Sequence, residues 1–157
     1  MDTNGAPASD TPSCVLCRRP FYAPVVRESE FWVTVVNRNQ NLLGKTFVAL
    51  RRHEEDVTAL SGREWAELQG EVGRVTELVR KAFAPDHFNY SFLMNVDQHV
   101  HLHVIPRYLG TRELAGTEFS DPKYPDGYRA ASASEPASEA VIAAVADALR
   151  SARGSPS

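Results

Sequence analysis

The chain has 157 residues, 43% of them hydrophobic, and a formal net charge of -3 from 17 basic and 20 acidic side chains. That length suits one domain with a core of ordinary size, and the charge balance supplies no broad basic surface of the kind that grips a nucleic acid backbone. An anionic ligand must be captured locally, and no nucleic acid partner is expected.

Residues 1–13, MDTNGAPASDTPS, hold no basic cluster and no apolar run. They read as a disordered leader rather than a signal peptide or membrane span, so a cytoplasmic protein with no membrane partner is expected. The only two cysteines follow in the motif CVLC, as Cys14 and Cys17. In a reducing compartment such a pair is more often a metal clip or a redox motif than a disulfide.

FWVTVV, residues 31–36, is β-branched and aromatic, and TFVAL, residues 46–50, is a second strand candidate, with NRNQN and Gly44 turning between them. Alternating aromatics such as Phe31 and Trp32 belong to a core more often than to a base-binding surface. A helix follows: Ser61 and Glu64 form a capping box, and Trp65, Leu68, Val72, Val75, Val79 and Phe83 recur at three- and four-residue steps until Pro85 stops it. NYSFLMN, residues 89–95, and the stretch from His99 to Pro106 are strands, separated by Val96, Asp97 and Gln98 in a tight hairpin. Residues 109–133 are rich in Gly, Asp, Pro and Tyr, long for a structureless connection, and suited to covering a site. From Pro136 a last helix carries the stripe Val141, Val145, Ala148 and Leu149, ahead of the tail SARGSPS. Four antiparallel strands and two helices predict an α+β layer, with helices on one face of the sheet and the other face left for chemistry.

QHVHLHVIPRY, residues 98–108, concentrates three of the five histidines at alternate positions. Side chains alternate across a strand, so His99, His101 and His103 share one face while Val100, Leu102 and Val104 enter the core. A one-residue slip would bury the imidazoles and expose the valines, which pins the register. Spaced roughly 6.6 Å apart along the strand, the rings can share one group of phosphate size. A solvated polar face explains one histidine better than three. Two sharper readings remain: a metal site built on the triad, or nucleophilic catalysis by one imidazole.

HVHLHVIPR resembles the signature of the histidine triad (HIT) family of nucleotide hydrolases and transferases, in which histidines alternate with apolar residues. VNRNQNLLG is similar to the VN and G positions of the fragile histidine triad branch, with the same separation between Asn37 and Gly44, and GKTFVALRRH aligns without a gap with the family's Gly, His, Thr, strand, His segment. The likeness runs from about Cys14 to Tyr108. It implies a HIT domain over residues 14–108, with 109–157 a C-terminal loop, helix and tail.

The resemblance implies that His101 attacks the α-phosphorus of a nucleotide or dinucleoside polyphosphate and forms a nucleotidyl-histidine, which water or another acceptor releases. No catalytic cofactor is expected. A neutral imidazole near pH 7 is a fair nucleophile, provided an acceptor holds its other nitrogen. His103, on the same face, would donate to the phosphate oxygens, and by the same resemblance Asn37 binds the ribose; Lys45, Asn95 and Gln98 are further candidate nucleotide-binding residues, Lys45 as a positive charge for phosphate. Asn37 reads equally well as a turn residue, and Lys45 as a solvated strand lysine. The chain departs from the family in two ways: Lys45 stands where histidine is common, and the GQS or GQT loop before the triad is missing, which leaves Gln98 or Asp97 to substitute.

In some HIT branches a CxxC pair is joined by the histidine after the second strand and by the first of the triad. Here that set is Cys14, Cys17, His53 and His99, implying a structural zinc. The rival is a redox pair, although PFYAPVV after Cys17 offers no helix; the plainest alternative is two unpaired thiols. His87 matches no ligand position and reads as a surface residue. The resemblance also implies a symmetric homodimer. Two further functions stay open at this point: a hydrolase with a catalytic metal on the triad, and a nucleotide-binding module without turnover.

Overall fold

The computed structural model describes residues 13–128 and 136–154. The expected leader, except Ser13, and the last residues of the tail lie outside that range. In chain order the elements are β1 (Val25–Glu28), β2 (Trp32–Val36), β3 (Thr46–Leu50), α1 (Gly62–Phe83), β4 (His87–Ser91), β5 (His101–Arg107), β6 (Arg112–Leu114), β7 (Thr117–Phe119) and α2 (Glu139–Ala152).

Five strands form one antiparallel sheet in the order β1-β2-β3-β5-β4, with both helices packed on one face, an α+β layer as expected. Strand alternation divides the side chains. Trp32, Val36, Val48, Leu50, Leu102 and Val104 meet the helices, while Val33, Val35, Phe47 and Ala49 form a second cluster on the opposite face. Leu16, between the two cysteines, and Ala23, after them, close over that second cluster. Coverage of both faces explains why FWVTVV reads as a continuous apolar run rather than an alternating one.

The Ser61 capping box is present in both directions, and the helix leaves at Ala84 in the left-handed region. Trp65 departs from the expected stripe: it is 43% exposed and meets Phe92 edge to face, because the buried stripe runs through Glu64, Leu68, Glu71, Val75 and Val79. Trp32 is core, its indole N–H donating to the Glu64 carbonyl. α2 is capped by Ser138, which accepts from Val141 N–H, and of the expected stripe it buries Val141, Val145 and Leu149 while Ala148 is half-buried.

Three expectations need correction. The sheet has a further strand, β1, beyond the four expected: VVRE is short and only partly buried, and its edge pairing with β2 is irregular between Val25 and Arg27. The strand placed at residues 89–95 is β4, His87–Ser91, and its partner begins at His101, so residues 92–100 make a long connection instead of a three-residue hairpin. Met94 adopts a positive φ within that connection, three residues after the pairing ends at Ser91. Within the stretch read as structureless, β6 and β7 form a hairpin turned at Ala115 and Gly116, both with positive φ.

Gly44 occupies a φ of +88°, and a Cβ there would lie 2.8 Å from the Phe83 ring. Both facts favour glycine in the β2–β3 connection. Among the described residues no helix is long and apolar enough to cross a membrane.

Candidate functional site

The face of the sheet opposite the helices holds a cavity of about 470 Å³, within the usual range for small-ligand pockets. Odd-numbered residues of the central strands form its floor. Register places Ala49 opposite His101 and Phe47 opposite His103, one step before Thr46 pairs with Val104. His101, His103 and Ile105 of β5, Phe47 of β3, and Lys45 and Asn37 from the β2–β3 connection all line it.

His101 is buried, and its Nδ1 lies 2.6 Å from the His99 carbonyl oxygen. A carbonyl can only accept, so Nδ1 carries the proton and Nε2 keeps its lone pair. Burial pushes the His101 pKa down, against the opposing pull of that hydrogen bond and of the Asp97 charge, which favours the neutral ring. The His103 ring centroid is 4.7 Å from that of His101. Burial, then His101 and Lys45, lower the His103 pKa to about 3. A neutral imidazole still offers one N–H to a phosphate oxygen.

Lys45 is not a solvated strand lysine. Its residue is 6% exposed, its ammonium donates to Asn41 Oδ1 at 2.9 Å, and burial lowers its pKa to about 8. Buried Gln40 holds the loop that carries it: the Gln40 amide donates to the carbonyls of Asn37 and Lys45 and accepts from Gly44 N–H. Asn37 Oδ1 accepts from Asn39 N–H, so the turn reading of Asn37 holds while the residue also lines the cavity.

Of the remaining expected binding residues, Asn95 lines the cavity and Gln98 does not; Gln98 is exposed, and Asp97 borders the cavity instead. Tyr22, Arg38, Leu93, Met94 and Tyr128 also border it, none of them singled out from sequence. Leu93, read from sequence as a strand residue, and Val96, read as part of a tight hairpin, are both exposed on the long β4–β5 connection.

The second cluster lies beside the first. The ligand atoms of Cys14, Cys17, His53 and His99 all fall within 4.8 Å of one another. His99 Nδ1 is 3.4 Å from each of the two sulfurs, and His53 Nδ1 is 3.3 Å from the Cys17 sulfur. With metal–sulfur and metal–nitrogen bonds of roughly 2.3 and 2.05 Å, the S···N edge of a tetrahedral zinc site is about 3.5 Å. The donor set fits zinc on a further ground. His99 Nε2 lies 2.7 Å from the Leu50 carbonyl and His53 Nε2 lies 3.2 Å from Glu55 Oε1, so in both rings the far nitrogen has an oxygen acceptor and Nδ1 is left to ligate. One Nδ1 lone pair cannot accept hydrogen bonds from two thiols at once, but it can share a metal with both sulfurs. His87 is exposed and takes no part in either cluster.

His99 joins the two clusters. Its side chain faces the cysteines while its carbonyl orients His101. Backbone bonds from Val100 N–H to Glu54 O and from Leu50 N–H to Val100 O fix this stretch just ahead of β5.

No protein-family model matches the sequence, and no curated protein matches it. Solved structures do match in three dimensions. A hypothetical histidine triad nucleotide-binding protein of Sulfolobus tokodaii strain 7 shares 20% identity at a TM-score of 0.68, over 88% of this chain and 91% of that one. A Zn-bound histidine triad family protein of Mycobacterium smegmatis shares 21% identity at a TM-score of 0.61, over 89% and 95%. A HIT family protein of Bacillus anthracis shares 25% identity at a TM-score of 0.57, over 61% and 74%.

Proposed function

We propose that this chain, which has the fold of the histidine triad proteins, is a nucleotide hydrolase or nucleotidyltransferase of that family, acting through a covalent nucleotidyl-histidine at His101. The observation that carries the reading is the 2.6 Å contact between His101 Nδ1 and the His99 carbonyl, which leaves Nε2 as the nucleophilic nitrogen of a buried, neutral ring lining a cavity of ligand size.

In the proposed reaction, Nε2 of His101 forms a bond to the α-phosphorus of a phosphoric anhydride or phosphoramidate. The bond to the leaving group breaks, and the leaving group departs with its electron pair and takes up a proton. Water or another acceptor then attacks the same phosphorus, returns the nucleotide and frees the imidazole. The hydrogen bond to the carbonyl strengthens as His101 gains positive charge. His103 donates to the phosphate oxygens, and the buried Lys45 ammonium supplies positive charge beside them. Asn37, at the level of Lys45, faces the ribose hydroxyls.

Cys14, Cys17, His53 and His99 would hold a zinc ion, which supplies structural cross-linking when bound. It ties the amino-terminal segment to the strand that presents His101, and the His99 backbone transmits that restraint. A catalytic metal on all three triad imidazoles has less support, because Nδ1 of His99 faces sulfur and Nδ1 of His101 faces a carbonyl. The second copy of a homodimer would pair with the edge strand β4, where Tyr90 is exposed.

The reading is tested with purified protein and a panel of adenosine phosphoramidate, adenylyl sulfate and diadenosine polyphosphates. Mononucleotide release is expected from at least one, and a nucleotide adduct at His101 is expected on rapid quenching. His101→Ala abolishes turnover while zinc stays near one per chain. Turnover that survives this substitution rejects the mechanism; no release from any substrate would favour a binding module instead.

A further inference from the structure

We infer that Arg52 is a positioning residue for both clusters: it anchors to the start of α1 the turn after β3, which supplies His53 and the carbonyls that hold His99 and Val100. The part that concerns His101 as nucleophile rests on the nucleotide reading above; the part that concerns the cysteine cluster does not.

Residues 50–54 hold the stretch ahead of β5 by ring and by backbone. The Leu50 carbonyl lies 2.7 Å from His99 Nε2, so it accepts from that ring and leaves Nδ1 facing the two sulfurs. The Glu54 carbonyl accepts from Val100 N–H at 2.7 Å, while Leu50 N–H donates to the Val100 carbonyl at 3.0 Å. His53, within the same turn, lies 3.3 Å from the Cys17 sulfur. The Val100 N–H and the His99 carbonyl belong to one peptide unit. Because that unit is planar and trans, holding the N–H on Glu54 aims the carbonyl the opposite way, where His101 Nδ1 lies 2.6 Å from it. The tautomer of His101 therefore depends on where the turn sits.

A turn outside any strand or helix needs an anchor, and Arg52 supplies one. Its Nε and Nη2 form a fork to the two oxygens of Glu64, at 2.7 and 3.1 Å, and its Nη1 donates to Glu54 Oε2 at 2.9 Å. Glu64 is 5% exposed and is itself fixed in the capping box of α1. The other Glu54 oxygen accepts from the N–H groups of Glu55 and Asp56, at 2.9 and 3.0 Å, which stiffens the residues that follow. One guanidinium thus joins the helix to the turn, and the turn to the His99–Val100 peptide. A planar fork can engage both carboxylates at once, whereas an ammonium acts as a single point charge. Arg52 belongs to neither the cavity lining nor the ligand set, so it acts only through the turn.

The test uses Arg52→Gln and Arg52→Lys in full-length, zinc-loaded protein. Arg27→Gln is the control, since Arg27 forms a comparable ion pair with buried Glu71 on the same helix, outside both clusters. Zinc affinity is measured by competition with a chromophoric chelator, and the tautomer of His101 from its ring-nitrogen chemical shifts. Loss of an outer-shell partner weakens metal binding by about tenfold or more, and both Arg52 variants are expected to show it. His101, with its proton on Nδ1 in the wild type, is expected to become a mixture of tautomers in both. On a substrate the wild type accepts, kcat should fall about tenfold while KM stays within about twofold, because the cavity lining is intact. Arg27→Gln is expected to match the wild type in these readouts even where urea unfolding finds it less stable. Wild-type zinc affinity or an unchanged tautomer in Arg52→Gln overturns the inference, as does an equal effect of Arg27→Gln, which would reduce Arg52 to general stability. Wild-type protein that releases no mononucleotide from any substrate defeats the hydrolase reading alone, and the zinc and tautomer readouts still decide the role of Arg52.

Discussion

Replacing Lys45 by Met should make the protein more stable and a poorer nucleotide binder. The lysine is 6% exposed, and burial lowers its pKa from 10.5 to about 8. At roughly 1.4 kcal/mol for each tenfold loss of proton affinity, keeping the ammonium in the folded chain costs about 3 kcal/mol near neutral pH. Methionine fills the same channel without a charge, and it loses the hydrogen bond to exposed Asn41, worth about 1 kcal/mol. The net gain is about 2 kcal/mol, or roughly 5 °C in Tm for a chain of this size. The sign follows from proton binding. Below the folded pKa of about 8 both states are protonated and the full penalty applies; between 8 and 10.5 the unfolded chain holds a proton that the folded chain has released, so stability rises with pH. Urea unfolding at pH 7 and pH 9.5 should therefore show the advantage of Lys45→Met shrinking by about 2 kcal/mol across that interval. In the same protein, mononucleotide affinity should fall about tenfold, since the phosphate loses its buried cation. Equal stabilities at both pH values would refute the buried-charge argument, and unchanged affinity would refute the phosphate role.

Cys14→Ser should reduce bound zinc well below one per chain, measured by metal analysis, with a lowered Tm; an unchanged content would reject the ligand set. Asp121→Ala leaves the Arg107 guanidinium buried without its fork partner, and urea unfolding should report a loss of about 3–5 kcal/mol; a loss under 1 kcal/mol would show that water replaces the carboxylate freely. The Glu64 carboxyl accepts from Arg52 and from the Ser61 backbone, which hold its pKa at about 2 against the usual 4.5. Its contribution is present above pH 4.5 and lost as pH falls toward 2, so Glu64→Gln should flatten the acid limb of the stability profile recorded by circular dichroism.

What could be read from the sequence was what depends on neighbours along the chain. The alternation in HVHLHV assigns imidazoles and valines to opposite faces whatever the rest of the molecule does, and Ser61 and Glu64 close their box within one turn of α1. The two central strands announced themselves because both of their faces are covered. By contrast β1, the short hairpin of β6 and β7, and the true ends of β4 and β5 depend on pairing with distant strands, for which VVRE or REL carries no local pattern.

The candidate site divides along the same line. Residue types and a family likeness nominated His101, His103 and the four sulfur and nitrogen donors, but the tertiary structure alone set His99 Nδ1 against sulfurs 82 and 85 positions away. It also decided that Lys45 is buried rather than solvated, that Asp97 and not Gln98 borders the cavity, and that Tyr22, Arg38 and Tyr128 border it too. The physical reason is one of range. Side-chain direction along a strand and capping at a helix end are set by the nearest few residues, whereas burial, proton affinity and the shape of a cavity are properties of every segment that packs around a point in space.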